Sequence, residues 1–161
     1  MSDVEKRSAR FHWRRRLLQG IVLGFALLLA MSLMGRRPEN LGVTSGMLAP
    51  CPDSPNCVST YADKETQLME SLSFSGDSQT TMSKLVGIVN AMPRTQMITQ
   101  TDEYLYVEFT SLIFRYVDDV EFLLDATNKK IDFRSASRVG YSDMGANRKR
   151  MTLISKRFQN D

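Results

Sequence analysis

The sequence predicts an α+β fold, in which an antiparallel β-sheet of about five strands is packed by two helices and follows a single N-terminal transmembrane helix. Three observations lead to this class. Residues 17–34 are apolar and uncharged. After them, segments with strand and helix periodicity occur in the order β-α-β-β-β-β-α. Four successive strands between two helices are typical of an antiparallel sheet with its helices on one face.

The apolar run has the length of a membrane span. As a helix, residues 17–34 would rise about 27 Å, close to the thickness of a bilayer's hydrocarbon core. Six basic residues precede the run and two follow it closely: Lys6, Arg7, Arg10, Arg14, Arg15 and Arg16 before it, Arg36 and Arg37 after it. Because the more basic flank stays in the cytoplasm, we expect residues 1–16 to form a cytoplasmic tail and the C-terminal domain to be periplasmic, anchored in the inner membrane.

A cleaved signal peptide is the alternative to a retained anchor. The apolar run is longer than the roughly 7 to 15 residues usual in a signal peptide. The sequence that follows, AMSLMGRRP, offers no site of the small-x-small type. These two features favour the retained anchor.

The basic charge of the chain lies in its N-terminal part. Residues 1–37 hold eight of the 21 Lys and Arg but two of the 18 Asp and Glu, whereas residues 42–161 hold thirteen and fifteen. The exported part is therefore slightly acidic, which argues against nucleic-acid binding. The basic tail is foremost a topology signal, and it could also contact anionic lipid headgroups.

Both cysteines, Cys51 and Cys57, lie at the start of the predicted exported domain, residues 49–161, after a Gly- and Pro-containing linker, residues 35–48. The segment CPDSPNC fits a turn that folds the chain back on itself, and an oxidising compartment would preserve a disulfide between them. Free thiols, a metal site and a nucleophilic cysteine are the alternatives. The single histidine, His12, lies in the tail, which weakens the last two. We expect no metal and no cofactor.

The first half of the domain reads as a strand, a helix and two further strands. Residues 69–74 alternate apolar and polar side chains. Asp77 or Ser78 then caps a helix that Pro93 ends, with apolar residues at helical spacing between them. Residues 97–101 and 104–109 are the next strands, and Asp102 and Glu103 form the turn between them.

The second half reads as a β-hairpin and a helix. Residues 113–125 form the longest predicted strand, a turn follows at 125–130, and residues 131–134 pair back. A final helix is expected from about Asp143 to Phe158, with an apolar stripe that also passes through Asn147 and Arg148.

One charged residue does not fit a plain core. Asp118 falls on the apolar face of its strand, where an unpaired carboxylate would cost several kcal/mol. Arg148 on the last helix could pair with Asp118 or Asp119 through a bidentate contact. The sequence therefore predicts a structural ion pair of Asp118, Asp119 and Arg148 that holds the helix on the sheet.

The same region also suggests a ligand site. Its members are polar residues around the start of the last helix: Arg134, Arg138, Tyr141, Asn147 and Arg148. Free N–H groups at a helix N-terminus attract anions, and arginine side chains would strengthen that attraction. Asp143, however, occupies the expected N-cap position and competes for those donors.

Three stretches, CPDSPNCVST, FRYVDDVEFLLD and RSASRVGYSDMGANRKR, together resemble the family called domain of unknown function 1499. The resemblance covers roughly residues 49–158. It implies that these motifs belong together in one envelope domain, but no ligand or activity. The positions that carry it are Cys51, Pro52, Ser54, Pro55, Asn56, Cys57, Asp118, Asp119, Arg134, Ser135, Ser137, Arg138, Gly140, Tyr141, Asp143, Gly145, Asn147 and Arg148.

The sequence favours a membrane-anchored binding domain without catalytic residues. Its partner would be an envelope protein, a lipid headgroup or a small anion. Two alternatives stay open. One is a histidine-free hydrolase that uses Asp118, Asp119 and Glu121, and the other is a structural assembly subunit.

Overall fold

The computed structural model describes residues 3–33 and 35–160, and within the first helix the side chains of residues 13–30. That helix, α1, spans Asp3–Leu33. In the part of the chain that is described, no helix combines the length and the apolarity needed to cross a bilayer. The transmembrane helix predicted at 17–34 is therefore not confirmed, and its last residue, Met34, lies outside the described residues.

A mixed α+β domain follows, with a mostly antiparallel sheet. Its strands are β1 (Val43–Thr44), β2 (Met47–Leu48), β3 (Cys57–Ser59), β4 (Leu72–Ser73), β5 (Thr95–Gln100), β6 (Tyr104–Thr110), β7 (Val117–Asp125) and β8 (Lys130–Ser137). Its helices are α2 (Ser78–Asn90) and α3 (Ala146–Asn160). Strands β1 and β2 form a separate hairpin, whereas the main sheet has the order β3-β8-β7-β6-β5, with β4 also paired to β8.

The predicted order of elements is confirmed from β4 onward, but the strand count of about five is too low. The additional strands β1, β2 and β3 have two or three residues each. The long strand predicted at 113–125 begins later, at Val117. Residues 111–116 form a loop instead, and Arg115 within it has a φ of 58°, a value that ordinary strand residues do not adopt.

Helix α2 begins where a capping residue satisfies its free N–H groups. The Asp77 carboxylate accepts a hydrogen bond of 2.7 Å from the backbone N–H of Thr80. Helix α3 begins three residues later than predicted, after Asp143, whose carboxylate accepts hydrogen bonds from the N–H groups of Gly145 and Asn147.

Helices α2 and α3 cover one face of the main sheet, here called the inner face. The core between them contains the fully buried Leu85, Val120, Phe122, Phe133 and Ile154. Residues paired directly across an antiparallel sheet share a face, and successive residues alternate between faces. Because Val120 and Phe122 point inward, Asp119 and Glu121 of the same strand point to the other side, the outer face.

A segment that connects α1 to the sheet lies over the outer face. It comprises residues 37–52 and is here called the strap. The strap includes the β1–β2 hairpin, whose turn residues Ser45 and Gly46 both have positive φ, and β2 lies against β7. Leu48 of β2 is buried. The region predicted as a linker, residues 35–48, thus contacts the domain at Arg37, Gly42 and Leu48, although most of its residues are exposed.

Candidate functional site

The predicted disulfide is confirmed. Cys51 and Cys57 are bonded, with their Cα atoms 5.7 Å apart. Cys57 is the first residue of β3, so the bond ties the end of the strap to the edge of the main sheet. The side chain of Gln67 holds the same loop by donating hydrogen bonds to the carbonyls of Pro52 and Ser54, at 3.0 and 2.8 Å.

Asp118 lies on the inner face and pairs with an arginine of α3, but that arginine is Arg150. The distance from Arg150 Nη2 to Asp118 Oδ2 is 2.5 Å. The other carboxylate oxygen accepts a hydrogen bond from Ser137. Arg150 also lies over the ring of Phe109, 4.6 Å from its centroid. The prediction of Arg148 as the partner is wrong.

Arg148 contacts the segment between β3 and β4. Its Nη2 donates hydrogen bonds to the backbone carbonyls of Thr66 and Leu68, at 2.8 and 3.2 Å. Tyr141 is exposed in the loop before α3. Neither residue lies near Asp119, which is on the outer face.

Asn147 is fully buried and connects three parts of the fold. Its amide donates to the carbonyl of Asn56 and to Ser137 Oγ, and its carbonyl oxygen accepts from Ser135 Oγ and Arg150. All four positions that an amide side chain can offer are used. Asn147 therefore holds the cysteine loop, β8 and α3 together and has no capacity left for a ligand.

The sheet separates the five residues that the sequence placed in one ligand site. Arg134 and Arg138 lie on the outer face, Asn147 and Arg148 belong to α3 on the inner side, and Tyr141 is in solvent. Of the five predicted site residues, only Arg134 and Arg138 thus lie together.

These two arginines belong to a buried polar cluster, here called the outer-face network. Its members are Tyr104, Tyr106, Glu108, Asp119, Glu121, Arg134 and Arg138. They lie on the adjacent strands β6, β7 and β8 or directly after β8. The strap closes the network from outside, since Arg37 Nη2 lies 2.6 Å from Glu108 Oε1 and the Gly42 N–H donates to Glu121 Oε1 at 2.6 Å.

Arg138 is engaged within this network through its Nε and Nη2 atoms. Its guanidinium contacts both oxygens of Asp119, with Nη2 to Oδ1 at 2.7 Å, and it also contacts Glu108. Burial alone would raise the pKa of Glu108, but hydrogen bonds from Arg37 and Arg138 outweigh it and the pKa lies below its usual value. Burial and a hydrogen bond to Asp119 raise the pKa of Tyr106, so its hydroxyl stays a donor.

Arg134 is engaged only in part. Its side chain is 6 % exposed, and its single ion-pair contact, from Nη1 to Glu121 Oε2, is long at 3.4 Å. Its Nε is, in the described part of the chain, the one buried side-chain nitrogen or oxygen without a hydrogen-bond partner. An unmet donor of this kind costs about 1 to 3 kcal/mol, so it calls for an explanation.

A cavity of about 400 Å³ lies beside Arg134, between the strap and the sheet. Its walls come from both, namely Pro38, Asn40, Pro50, Cys51 and Pro52 on one side and Asp119, Arg134, Ala136, Ser137 and Arg138 on the other. A larger cavity of about 600 Å³ lies beside β4, among residues such as Glu65, Glu70 and Lys130. None of the described residues lining that larger cavity carries an unmet buried polar atom, which makes the smaller one the better candidate.

The carboxylates proposed for a hydrolase do not face one another across a cleft. Asp118 is on the inner face with Arg150, whereas Asp119 and Glu121 are on the outer face with Arg138 and Arg134. Each of the three is paired with a different arginine. Among the described residues there is also no group of His, Cys, Asp and Glu suited to a metal ion.

Sequence reasoning missed Glu108 and Arg37 as members of the cluster. The signal for Glu108 was present, because Tyr104, Tyr106 and Glu108 alternate with the apolar residues of the same strand. Arg37 gave no signal, since its contact with Glu108 joins residues 71 positions apart.

Comparison with known proteins gives one match. Residues 47–158, more than half of the chain, match the family model described as "Protein of unknown function (DUF1499)", which confirms the resemblance inferred from the three motifs. The match includes the cysteine pair and all members of the outer-face network, but not Arg37. No curated protein and no solved structure matches the chain.

Proposed function

The chain belongs to the DUF1499 family of proteins of unknown function, and we propose that its domain is a binding module that takes up a small anion in the cavity between the strap and the sheet. The site is the part of the cavity formed by Arg134 and Arg138. The strap forms the opposite wall. No chemical step on the ligand is part of this proposal.

One observation carries the proposal, the unmet Nε of Arg134 beside a cavity. A buried guanidinium with a free donor attracts an anion more strongly than the same group would in water, because the surroundings screen charge less. Arg138 adds positive charge at the same wall, although its Nε and Nη2 already donate to Asp119.

Calorimetry on the full-length chain in detergent tests the proposal with acetate, phosphate and sulfate as probes. We expect saturable heat with at least one of them and a loss of about tenfold or more in affinity in Arg134→Gln, since a hydrogen bond to a charged group is removed. Arg148→Gln is the matched control, because Arg148 lies on the other side of the sheet. Heat that is equal in Arg134→Gln, or that is lost in Arg148→Gln instead, would contradict the assignment.

We further propose that α1 attaches the domain to the inner membrane, with the domain on the periplasmic side. Apolar side chains in residues 17–30 are 40 to 70 % exposed, namely Leu17, Leu18, Ile21, Val22, Leu23, Phe25, Leu27 and Leu28. An apolar surface of that extent on a soluble protein is unusual, and lipid is a partner that would cover it. The disulfide supports an oxidising compartment for the domain.

Vesicle flotation tests the attachment. We expect the full-length chain to float with vesicles that contain anionic lipid, and Leu23→Lys with Leu27→Lys to weaken flotation strongly, because two charges would enter the apolar surface. Equal flotation of the double variant and the original chain would count against lipid as the partner of this surface.

A further inference from the structure

The geometry of Arg134 indicates which face of its guanidinium a ligand would meet. Nη1 is directed at Glu121, 3.4 Å away, whereas Nε has no partner. In an arginine, Nε and Nη2 share the edge opposite to Nη1. That edge presents two parallel N–H groups, which match the two oxygens of a carboxylate.

The charges around the cavity limit the charge of the ligand. The outer-face network and Arg37 together contain three carboxylates (Glu108, Asp119 and Glu121) and three guanidiniums (Arg37, Arg134 and Arg138). Asp119 lines the cavity itself. Because the positive charges are already balanced, each negative charge that a ligand brings into the buried site is left with little compensation. A single charge is therefore accepted more easily than two.

The wall that the strap contributes is stiff and in large part apolar. Asn40 contributes a side-chain amide to this wall, but Pro38, Pro50 and Pro52 have no backbone N–H donor and the side chain of Cys51 is closed in the disulfide. They offer carbon surface instead. A volume of about 400 Å³ lies at the lower end of the range for cavities that hold small organic molecules.

We propose that the cavity binds a small organic monocarboxylate, whose carboxylate lies side-on against Nε and Nη2 of Arg134 and whose carbon chain packs against the prolines of the strap. This inference rests on the anion-binding function proposed above. It adds the class of the ligand, a planar single anion with an apolar part.

Separate calorimetric titrations of matched probes test the ligand class on the full-length chain in detergent. Butyrate, butyramide, inorganic phosphate and sulfate are titrated separately, since butyramide has the shape of butyrate without its charge. We expect butyrate to bind about tenfold or more tightly than phosphate or sulfate, and butyramide to show no saturable binding, because charge-assisted hydrogen bonds to Arg134 are lost. Acetate should bind about tenfold more weakly than butyrate, since butyrate buries two further CH₂ groups.

Arg134→Lys separates the planar contact from charge alone. The lysine keeps the positive charge but lacks the two-pronged edge, so butyrate affinity should fall about tenfold. Arg148→Lys, on the other side of the sheet, should leave it unchanged. The Nε–H signal of Arg134 in ¹⁵N NMR spectra of the original chain gives a readout that does not depend on any variant folding. Butyrate should shift that signal, and butyramide should not.

The outcomes separate this inference from the proposed function. Phosphate or sulfate binding as tightly as butyrate, with dependence on Arg134, would overturn the monocarboxylate and leave the anion site standing. Failure of every anion to bind, with an unmoved Nε–H signal, would overturn both.

Discussion

Asp118 and Arg150 form a buried ion pair between the sheet and α3. Their side chains are 10 % and 13 % exposed, and both carboxylate oxygens of Asp118 accept hydrogen bonds. Taking two charges out of water is costly, so such a pair adds little net stability. Its role is to set the position of the helix, because only one placement of α3 brings Arg150 to Asp118.

Removing one partner of this pair should strongly lower the free energy of unfolding. In Arg150→Met, Asp118 is left in a buried place without its arginine, and we expect the free energy of unfolding to fall by about 3 kcal/mol. Arg148→Met should cost about 1 kcal/mol, since it removes only hydrogen bonds to exposed carbonyls. Urea unfolding of the full-length chain measures both. Equal losses in the two variants would show that the pair has no special role.

The angular positions of the two arginines around the axis of α3 explain why Arg148, and not Arg150, was predicted as the partner of Asp118. Asn147, Met151, Ile154 and Phe158 are its buried residues. At about 100° per residue, Arg150 lies about 60° from Asn147 and Arg148 about 100° from it on the opposite side. Arg150 therefore lies closer to the buried stripe. The position of Asp118 on the inner face could be predicted, because it follows from the alternation of side chains along a strand.

Glu108 makes stability depend on pH in the acid range. Its pKa in the folded state lies below the usual value of 4.5, since hydrogen bonds from Arg37 and Arg138 outweigh the effect of burial. The unfolded chain then binds the proton more readily, so the contribution of Glu108 is fully present above pH 4.5 and is lost as pH falls through the lowered pKa.

Substitution Glu108→Gln should remove this part of the pH dependence. The free energy of unfolding of the variant should be lower than that of the original chain at neutral pH, and the difference should shrink as the pH is lowered below 4.5. Urea unfolding at a series of pH values measures it. A difference that stays constant down to acid unfolding would mean that Glu108 is not held ionised by its two arginines.

At the scale of elements, the longer strands and both domain helices could be predicted, and the short strands β1 to β3 could not. Strands β5 to β8 and helices α2 and α3 repeat their periodicity over six or more residues. Strand β4 was predicted from the alternation of residues 69–74, whereas β1 to β3 have two or three residues, too few for any periodicity. They exist because the strap and the cysteine loop pack on the sheet, a tertiary effect that local sequence does not encode.

The disulfide should affect both the stability of the domain and the position of the strap beside the cavity. Loop-closure entropy predicts that Cys51→Ala with Cys57→Ala lowers the free energy of unfolding by about 2 kcal/mol. Pro50, Cys51 and Pro52 line the cavity. Without denaturant, where the double variant is folded, it should therefore also bind butyrate more weakly than the original chain. Urea unfolding and calorimetry check the two effects. Unchanged butyrate affinity would separate the disulfide from the binding site.

At the scale of the whole molecule, the fold class could be read from the sequence, but the arrangement of the site could not. Order and type of the elements are local properties. The site depends on which face each polar residue occupies and on contacts such as Arg37 with Glu108, which are distant in sequence. Clustering by sequence proximity placed Arg134, Arg138, Asn147 and Arg148 together, whereas the sheet runs between them.

Strand order predicts how stability is distributed over the molecule. Strand β7 is hydrogen-bonded to β6 and β8, and β8 is bonded to β7 on one side and to β3 and β4 on the other. Val120, Phe122 and Phe133 on these strands are fully buried. Strand β5 is at the edge, and none of its residues is fully buried. The β1–β2 hairpin has four paired residues, two of which have exposed large apolar side chains.

Native-state hydrogen exchange on the full-length chain should follow this order. Amides of Val120 and Phe122 open only when the whole domain unfolds, so their exchange should report the global free energy. Amides of Thr44 and Met47 should exchange through local opening, faster by several orders of magnitude, because few buried contacts hold the hairpin. Butyrate should slow exchange in the hairpin selectively if the strap closes over the ligand. Exchange at the hairpin as slow as in β7 would mean that strap and sheet unfold as one unit, so that a ligand must enter without any opening of the strap.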